Sequence, residues 1–335
     1  MNVLSIIILS FFYLYSLILL YIAFLAKNKG ERGAFINNLV NALVLIVSIT
    51  INLGIISFLN IPSNEFIVFP FNFLMIAFIV IFYLIFSIFI LREKKKVIEW
   101  KEIDEKPTSK HSKQLPLKYD IYRKLTHLVV LGIIFSYFTL GFYINRDIMF
   151  FTQNLVVFLV GISLIGLLTA EIIRILNPEI YPLKQVNQIL REKELHMRFG
   201  PHISMSIGCF SIILLYGLIQ PIGPVVICTA MTMAIFGDIA SNLIGRIKGK
   251  TIIRNTDKTY EGLFAGMIIS FTSGVIILIL LRNFYDPSIL GFFLIPILGA
   301  LIIGGIDYLD LEIDDNLTFN FILSTILFFI SFFVL

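Results

Sequence analysis

Charged residues are scarce in this chain. Asp, Glu, Lys and Arg make up 14% of its 335 residues, whereas average protein usage is about 25%. Hydrophobic residues make up 58% of the chain, and Phe alone occurs 33 times. A soluble fold cannot bury this much apolar surface. The composition therefore excludes a water-soluble protein and predicts an all-α, polytopic integral membrane protein in a lipid bilayer.

Cysteine is also rare, with only Cys209 and Cys228 present. Both lie in apolar runs and lack the spacing of metal ligands, so we expect two small buried side chains rather than a thiolate metal site. The first apolar run is too long for the core of a signal peptide and lacks a small-residue cleavage site. We expect this run to be a retained span.

Ten apolar runs come close to the ~20 residues that an α-helix needs to cross a bilayer. We therefore predict about ten transmembrane helices, at residues 3–26, 39–60, 66–91, 125–144, 149–174, 203–220, 222–244, 262–281, 287–306 and 317–335. The polar run 92–120 separates an N-terminal three-span section, 1–91, from a seven-span catalytic core, 121–335. We expect this run to be a cytoplasmic linker.

The basic residues predict the orientation of the spans. Of the 26 Lys and Arg residues, 24 lie in odd-numbered loops, and only Arg146 and Arg282 lie in even-numbered ones. Because cytoplasmic loops are enriched in Lys and Arg, we expect the odd loops to be cytoplasmic and both termini to face outside. The segment 183–197 has apolar residues near one helical face, which is typical of an amphipathic helix lying in the interface. We expect no nucleic-acid partner.

One predicted span end combines an acid, an amide and a small residue. Asp238 precedes Arg246 by eight residues, about 12 Å along a helix, and so lies below the cytoplasmic surface. Asn242 and Gly245 follow at helical spacing on the same face. An acid at this depth is costly and usually has a functional partner. The alternative is one structural Asp beside basic residues that anchor the helix at the membrane surface.

The loop that follows is basic and contains glycine. Its basic residues are Arg246, Lys248, Lys250, Arg254 and Lys258, and the glycines that permit close backbone approach are Gly245, Gly249 and Gly262. Carboxylates suit Mg²⁺, while cations and backbone N–H groups suit phosphates. The pattern predicts a site for a magnesium-bound polyphosphate. The segment GRIKGKT is not a P-loop, because it has three residues between its glycines instead of four.

Two other clusters lie at predicted cytoplasmic span ends. In YRKLTHL, Arg123, Lys124 and His127 lie at the start of the fourth span. The alternative for His127 is an interfacial hydrogen-bonding role. In AEIIR, Glu171 and Arg174 end the fifth span at i, i+3. This pair is either functional or a structural intramembrane ion pair.

The ninth loop, DYLDLEIDDNL, is acidic and has no basic residue. Asp314 and Asp315 precede the tenth span and are candidate metal ligands. The alternative is that Asp315 or Asn316 simply caps the helix. Acidic residues contribute little to membrane orientation, so topology does not explain this loop. We expect the acids of the ninth loop and the bases of the seventh to form one site.

These motifs resemble those of the dolichol kinase/phytol kinase family of CTP-dependent lipid kinases. The matching segments, in order, are RKLTH, AEIIR, GDIASNLIGRIKGKTIIRNTDKTYEGLFAG and IDDNLT, over roughly residues 121–320. The resemblance implies transfer of the γ-phosphoryl group of CTP, with Mg²⁺, to the hydroxyl of a membrane isoprenoid alcohol, giving a polyprenyl phosphate. Residues 1–120 and the segment PHISMS depart from the family's pattern.

Together with the residue patterns, the resemblance implies a set of site residues on the cytoplasmic face. The expected catalytic residues are Asp238, His127, Lys258 and Asp315, with His127 and an Asp both open as the proton acceptor. The expected metal ligands are Asp238, Glu261, Asp314 and Asp315. The expected nucleotide-binding residues are Arg123, Lys124, Asn242, Gly245, Arg246, Gly249, Lys250, Lys258, Glu261 and Gly262.

Three other functions compete with this interpretation. Phosphatidate cytidylyltransferases have a similar Asp…Gly…Lys-x-x-Glu-Gly stretch, and they release pyrophosphate and make a CDP-lipid. A CTP-dependent diacylglycerol kinase would use the same nucleotide and metal. A transporter would have charges near the bilayer midplane and repeated halves, and the sequence has its charges at one surface and no visible repeat.

Asp238→Asn is expected to abolish activity, because it removes the charge that binds the metal without changing the shape of the side chain. Insertion into the membrane should be unaffected. Activity is measured with labelled CTP and Mg²⁺ on purified protein, and insertion by recovery from the membrane fraction. Full activity in this variant would contradict the assignment of Asp238 to the metal site.

Overall fold

The computed structural model describes residues 2–59, 65–100, 128, 131–137, 139–140, 149–191, 194–220, 222–254, 256, 258–282 and 288–334. The structure is 84% helical, and its described residues contain no β-strand. The helices are α1 (Val3–Asn28), α2 (Arg32–Phe58), α3 (Phe71–Trp100), α4 (Leu131–Ser136), α5 (Met149–Leu176), α6 (Pro201–Tyr216), α7 (Ile222–Lys248), α8 (Tyr260–Leu281), α9 (Ile289–Leu309) and α10 (Asp315–Val334). This architecture confirms an all-α polytopic membrane protein.

Eight of these helices are long and apolar enough to cross a membrane, namely α1, α2, α3, α5, α7, α8, α9 and α10. In the described ranges, eight of the ten predicted spans correspond to such a long helix. The predicted span 203–220 corresponds to α6, an apolar helix of 16 residues, which is about 24 Å long and shorter than the hydrocarbon core. The predicted span 125–144 lies mostly outside the described residues.

Helix α6 occupies the centre of the bundle. Fourteen of its residues are buried, and the other two are His202 and Ser206. It packs against α2, α5, α7 and α10. A helix that is apolar on all sides is buried on all sides, which explains why this short helix is surrounded by longer ones.

A row of asparagines on α2 fixes this helix to α6. The amide of Asn38 donates to the carbonyl of Met197 at 2.7 Å and accepts from the N–H of Phe199 at 3.1 Å. Further along the same face, Asn52 donates to the carbonyl of Leu214 at 2.6 Å. A buried amide in a membrane protein must bond to protein, since no water is available. The row therefore determines which face of α2 contacts α6.

The N-terminal section and the remainder of the chain share one hydrophobic core. Buried residues of α1, α2 and α3 belong to the same cluster as those of α5 to α10, for example Phe12 with Phe210 at 4.8 Å between ring centroids. The predicted N-terminal section ended at residue 91, whereas α3 continues as a helix to Trp100. The rest of the predicted linker lies outside the described residues.

The segment 183–197 differs from the expected amphipathic α-helix. It contains a 3₁₀-helix, Lys184–Ile189, preceded by a second one, Pro178–Ile180. Leu190 and Met197 are buried in the protein, and Leu183 is exposed. Leu183, Leu190 and Met197 do not share one helical face, because the 3₁₀-helix covers only Lys184–Ile189 and all three lie outside it.

Helices α7 and α8 approach each other along small residues. Gly237, Ser241 and Gly245 of α7 face Gly262 and Gly266 of α8. A Cβ added at Gly262 would lie 2.6 Å from the carbonyl oxygen of Ser241 and 2.9 Å from the Cα of Gly245. Small residues at every fourth position allow such close backbone contact between membrane helices.

Gly262→Ala is expected to lower the free energy of unfolding by about 1–3 kcal/mol, the usual effect of overpacking, because the added methyl group would push α8 away from α7. The matched control is Gly54→Ala on α2, where a Cβ would meet no atom within 4 Å. Both variants are compared with the wild type by denaturant titration in detergent. Equal stability of Gly262→Ala and the wild type would contradict the described contact.

Candidate functional site

Lys258 is the centre of a charged cluster at one end of the bundle. Its Nζ lies 2.9 Å from Asp315 Oδ2, 3.0 Å from Asp307 Oδ1 and 3.3 Å from Asp310 Oδ1. Asp307 and Asp310 come from the end of α9, and Asp315 begins α10. The acidic ninth loop and the basic seventh loop thus meet, as their charges suggested. One cation faces three carboxylates, so the cluster has an excess of negative charge.

The carboxylates around Lys258 favour the protonated form of its side chain. Burial disfavours the ammonium form, but the carboxylates of Asp315 and Asp307 outweigh that effect and hold the pKa of Lys258 well above its usual range. Lys258 therefore stays protonated throughout the physiological pH range. A permanent cation at this position can contact phosphate oxygens.

Two loop residues next to this cluster adopt left-handed backbone conformations. Asp310 ends α9 with φ 44° and ψ 62°, and Arg254 has φ 50°. Such conformations are uncommon for residues other than glycine and concentrate at functional sites. The guanidinium group of Arg254 lies 4.6 Å from the ring centroid of Tyr308 and donates to its hydroxyl at 3.1 Å. The basic loop is thereby attached to α9.

The loop between α7 and α8 is closed by its own hydrogen bonds. Ile253 N donates to the carbonyl of Lys258 at 2.9 Å, and Tyr260 N donates to the carbonyl of Thr251 at 2.9 Å. The carboxylate of Glu261 accepts from the backbone N–H of Thr251 at 3.2 Å and from its hydroxyl at 3.1 Å. Glu261 therefore closes the base of the loop, and the loop presents Lys258 in a defined position.

Helix α7 supplies the floor of the cluster. The hydroxyl of Ser241 donates to Asp307 Oδ2 at 2.5 Å, which leaves Oδ1 of the same carboxylate for Lys258. Asp238 is buried three residues earlier, about one helical turn deeper in the bundle. Carboxylates therefore lie at two depths at this end of the protein. One group contacts Lys258, and Asp238 lies about one helical turn deeper than Ser241.

Asp314 begins the last helix. Its Oδ1 accepts from the backbone N–H of Asn316 at 3.0 Å and from the side-chain amide of Asn316 at 2.7 Å. Its own N–H donates to Asn37 Oδ1 at 2.9 Å. Asp314 acts as the N-cap of α10, rather than Asp315 or Asn316, and this leaves Asp315 in contact with Lys258.

A second buried polar cluster joins the ends of α5 and α6. Arg174 binds Glu171 through two nitrogens, at 2.8 and 2.7 Å, and both side chains are 2% exposed. Arg174 also donates to the carbonyls of Leu195 and Arg198, and Glu171 accepts from the N–H of Gly200 at 2.7 Å. The pair thus has a structural role, because it holds the segment before α6 against α5.

Hydrogen bonds connect the two clusters through α2. Asn37 accepts from the N–H of Asp314 at 2.9 Å and donates to Asn38 Oδ1 at 3.4 Å. Asn38 in turn accepts from Phe199, whose neighbour Gly200 donates to Glu171. The ends of α2, α5, α6 and α10 therefore lie on one face of the bundle with the ends of α7, α8 and α9.

The structure brings some of the predicted residues together and gives others a different environment. Lys258 and Asp315 are in direct contact, and Asp238 and Asn242 lie on α7 near them. Gly245, Gly249 and Gly262 pack against the α7–α8 contact, and Arg246 and Lys250 are exposed. Arg123, Lys124 and His127 lie outside the described residues. Binding of a nucleotide by these residues stays a prediction.

Asp307, Asp310 and Ser241 were missed as site residues in the sequence. The two acids had a signal, because the ninth loop contains five acids and no base, but only the pair next to α10 was selected. Ser241 has no local signal, since its contact with Asp307 depends on the packing of α7 near α9. The site residues with the best-defined contacts are thus from three separate helices and one loop.

The carboxylate oxygens of the cluster are of the type that Mg²⁺ prefers. Asp307 and Asp315, with Asp238 below them, are the residues that would hold the ion. Within the described ranges no three His, Cys, Asp or Glu side chains are arranged around a common metal position. In the cluster, the ammonium group of Lys258 lies against the carboxylates instead.

Comparison of the chain with family models, with curated proteins and with solved structures found no match. The geometry of the site therefore carries the functional argument, together with the motifs of the sequence.

Arg174→Met is expected to lower the free energy of unfolding by about 3–5 kcal/mol, because it leaves the buried carboxylate of Glu171 without its bidentate partner. Restoring neutrality in the double variant Glu171→Gln/Arg174→Met should recover part of this loss. The control is Arg32→Met, which removes an exposed arginine 3.8 Å from Glu312 and should change stability by less than about 1 kcal/mol. Denaturant titration in detergent measures all three, and similar effects at Arg174 and Arg32 would contradict the structural role.

Proposed function

We propose that this protein is a CTP-dependent lipid kinase, which transfers the γ-phosphoryl group of CTP to the hydroxyl of a membrane isoprenoid alcohol. The observation that carries the proposal is the contact of Lys258 with Asp307, Asp310 and Asp315. Residues of two distant motifs, TDKTYEG and IDDNL, meet there at one end of the bundle. The motif resemblance supports CTP as the donor and an isoprenoid alcohol as the acceptor.

The location of the cluster suits a reaction between a lipid and a soluble nucleotide. A long alcohol cannot leave the bilayer without a cost of about 0.8 kcal/mol for each CH₂ group. The reacting groups must therefore meet where helix ends reach the membrane surface. The distribution of basic residues favours the cytoplasm for this face, with both termini outside.

Phosphoryl transfer depends mostly on positioning and on neutralising charge. When bound, Mg²⁺ would neutralise phosphate oxygens. Lys258 would bind the phosphate chain, and the rigid loop closed by Glu261 would hold this cation in place. The alcohol oxygen forms the new bond to the γ-phosphorus, the bond between that phosphorus and the bridging oxygen breaks, CDP leaves, and the hydroxyl proton is released.

The first test is an assay on purified protein in detergent with Mg²⁺ and CTP labelled on the γ-phosphate. The lipids are a long polyprenol, geranylgeraniol, diacylglycerol and phosphatidate, each in a separate reaction. Label on an isoprenoid alcohol supports the proposal, whereas label on diacylglycerol alone would change the substrate class. Release of labelled pyrophosphate with phosphatidate would instead identify a cytidylyltransferase.

Lys258→Ala is expected to lower kcat/KM for CTP by about 10²–10³-fold, the usual effect of losing one electrostatic contact to a reacting group. The matched control is Lys96→Ala, which removes a surface lysine of α3 paired with Glu93 and should leave kcat/KM unchanged. Both variants are assayed with the preferred lipid over a range of CTP concentrations. An unchanged KM and rate in Lys258→Ala would favour a role in membrane anchoring.

A further inference from the structure

A large apolar groove lies between α3, α5 and α6, with α4 along its side. Its volume is about 1090 Å³, slightly above the range of about 300–1,000 Å³ that is usual for ligand pockets. Along α5 it extends from Val156 to Glu171, about 22 Å at the rise of an α-helix. A groove of this length covers much of the hydrocarbon thickness, so its dimensions suit a lipid chain rather than a compact polar ligand.

Aromatic rings of α3 form one wall of the groove. Phe78, Phe82, Phe86 and Phe89 follow at spacings of three and four residues and all line it. Phe82 stacks on Phe78 with 5.6 Å between ring centroids and on Phe86 with 5.3 Å. The opposite wall includes small residues, Gly166 and Ser163 of α5, and Gly132 of α4 adds another. At Gly166 an added Cβ would lie 3.7 Å from the ring of Phe82, so the small residues let the aromatic wall approach α5 closely, and the walls of the groove are apolar on both sides.

The groove has one polar end. Glu171, Tyr181 and His202 line it there, at the last turns of α5 and the first turn of α6. His202 and Ser206 are the two residues of α6 that are not buried, and both line the groove. His202 Nε2 lies 3.9 Å from Glu171 Oε2. A site with a long apolar body and a short polar end matches a lipid with one small head group.

The charges at this end disfavour an anionic head group. Arg174 neutralises Glu171, but its remaining contacts are to the carbonyls of Leu195 and Arg198, and it is not among the residues that line the groove. The groove therefore presents a carboxylate, an imidazole and a phenol. A hydroxyl can donate to the carboxylate or the imidazole, whereas no Lys or Arg among the described residues lines the groove to neutralise the charge of a phosphate.

We infer that this groove binds the chain of a neutral lipid with one hydroxyl, and that His202 and Glu171 contact the hydroxyl. The identity of the lipid as the phosphoryl acceptor rests on the proposed function. The path Glu171, Gly200, Phe199, Asn38, Asn37 and Asp314 links this polar end to the cluster around Lys258 by hydrogen bonds and chain connections.

The test uses a geranylgeraniol analogue with a photoactivatable diazirine at the far end of its chain, incubated with purified protein in detergent without nucleotide. Gly132→Phe places a ring in the groove at a position where a Cβ would meet no atom within 4 Å. Gly54→Phe makes the same change on α2, where the space is equally open, outside the groove. Labelling is expected to map to α3 and α5 and to fall about tenfold in Gly132→Phe, a change of 1.4 kcal/mol in binding.

Ser163→Phe provides a second block if Gly132→Phe does not fold, because Ser163 is exposed and also lines the groove. Equal labelling of a folded blocking variant and Gly54→Phe, or labelling mapped to other helices, would overturn the groove as the lipid site.

The head-group assignment is tested with two further probes, the methyl ether and the phosphate of the same alcohol. The wild type should prefer the alcohol to the ether by about fivefold, the effect of one hydrogen bond, and His202→Ala should lose this preference while retaining the ether. Labelling by the phosphate as strong as by the alcohol, or no preference over the ether in the wild type, would overturn the assignment.

These outcomes separate the two proposals. Alcohol labelling in the groove without phosphoryl transfer from CTP would refute the proposed kinase and leave the groove as a lipid site. Phosphoryl transfer that persists with unchanged labelling in the blocking variants would do the reverse.

Discussion

Buried polar groups in this protein must bond to protein, since the bilayer core offers no water. This constraint explains where the polar side chains lie. The asparagines of α2 bond to backbone groups beside α6, Arg174 bonds to Glu171, and Lys258 bonds to carboxylates of α9 and α10. The contacts of the asparagines and of Lys258 join segments that are far apart in sequence, whereas Glu171 and Arg174 lie one turn apart on α5 and together hold the segment before α6. The few buried polar side chains therefore determine how the apolar helices pack together.

The same constraint places the polar side chains of both clusters at one end of the bundle. The charged cluster around Lys258 and the polar end of the groove both lie where helices begin or end, and the amide side chains of α2 connect them. The first three helices thus contribute to the surroundings of the proposed site, although its motifs all lie later in the sequence. The predicted three-span section and the remainder of the chain thus share one hydrophobic core.

Hydropathy predicts most of the helices because a long apolar run has few stable arrangements in lipid. It also predicts α6, as the span 203–220, although this helix has 16 residues and is surrounded by longer helices. In the site, motif spacing identified Lys258 and Asp315, whereas Asp307 depends on how α9 packs near α7. The glycines near Lys258 suggested ligand approach, but their neighbours are helix atoms. Long-range packing of this kind leaves no periodic trace in the sequence.

The order of synthesis has a bearing on the cluster around Lys258. Its partners Asp307 and Asp315 follow it by 49 and 57 residues, so the ribosome completes the α7–α8 hairpin well before either acid exists. During that interval the lysine is one of five basic residues at the end of α7 and in the α7–α8 loop, the kind of connection that favours a cytoplasmic orientation of the hairpin. Only when α9 and α10 have inserted does the same side chain become part of an enclosed cluster. One residue thus serves biogenesis first and the finished protein afterwards.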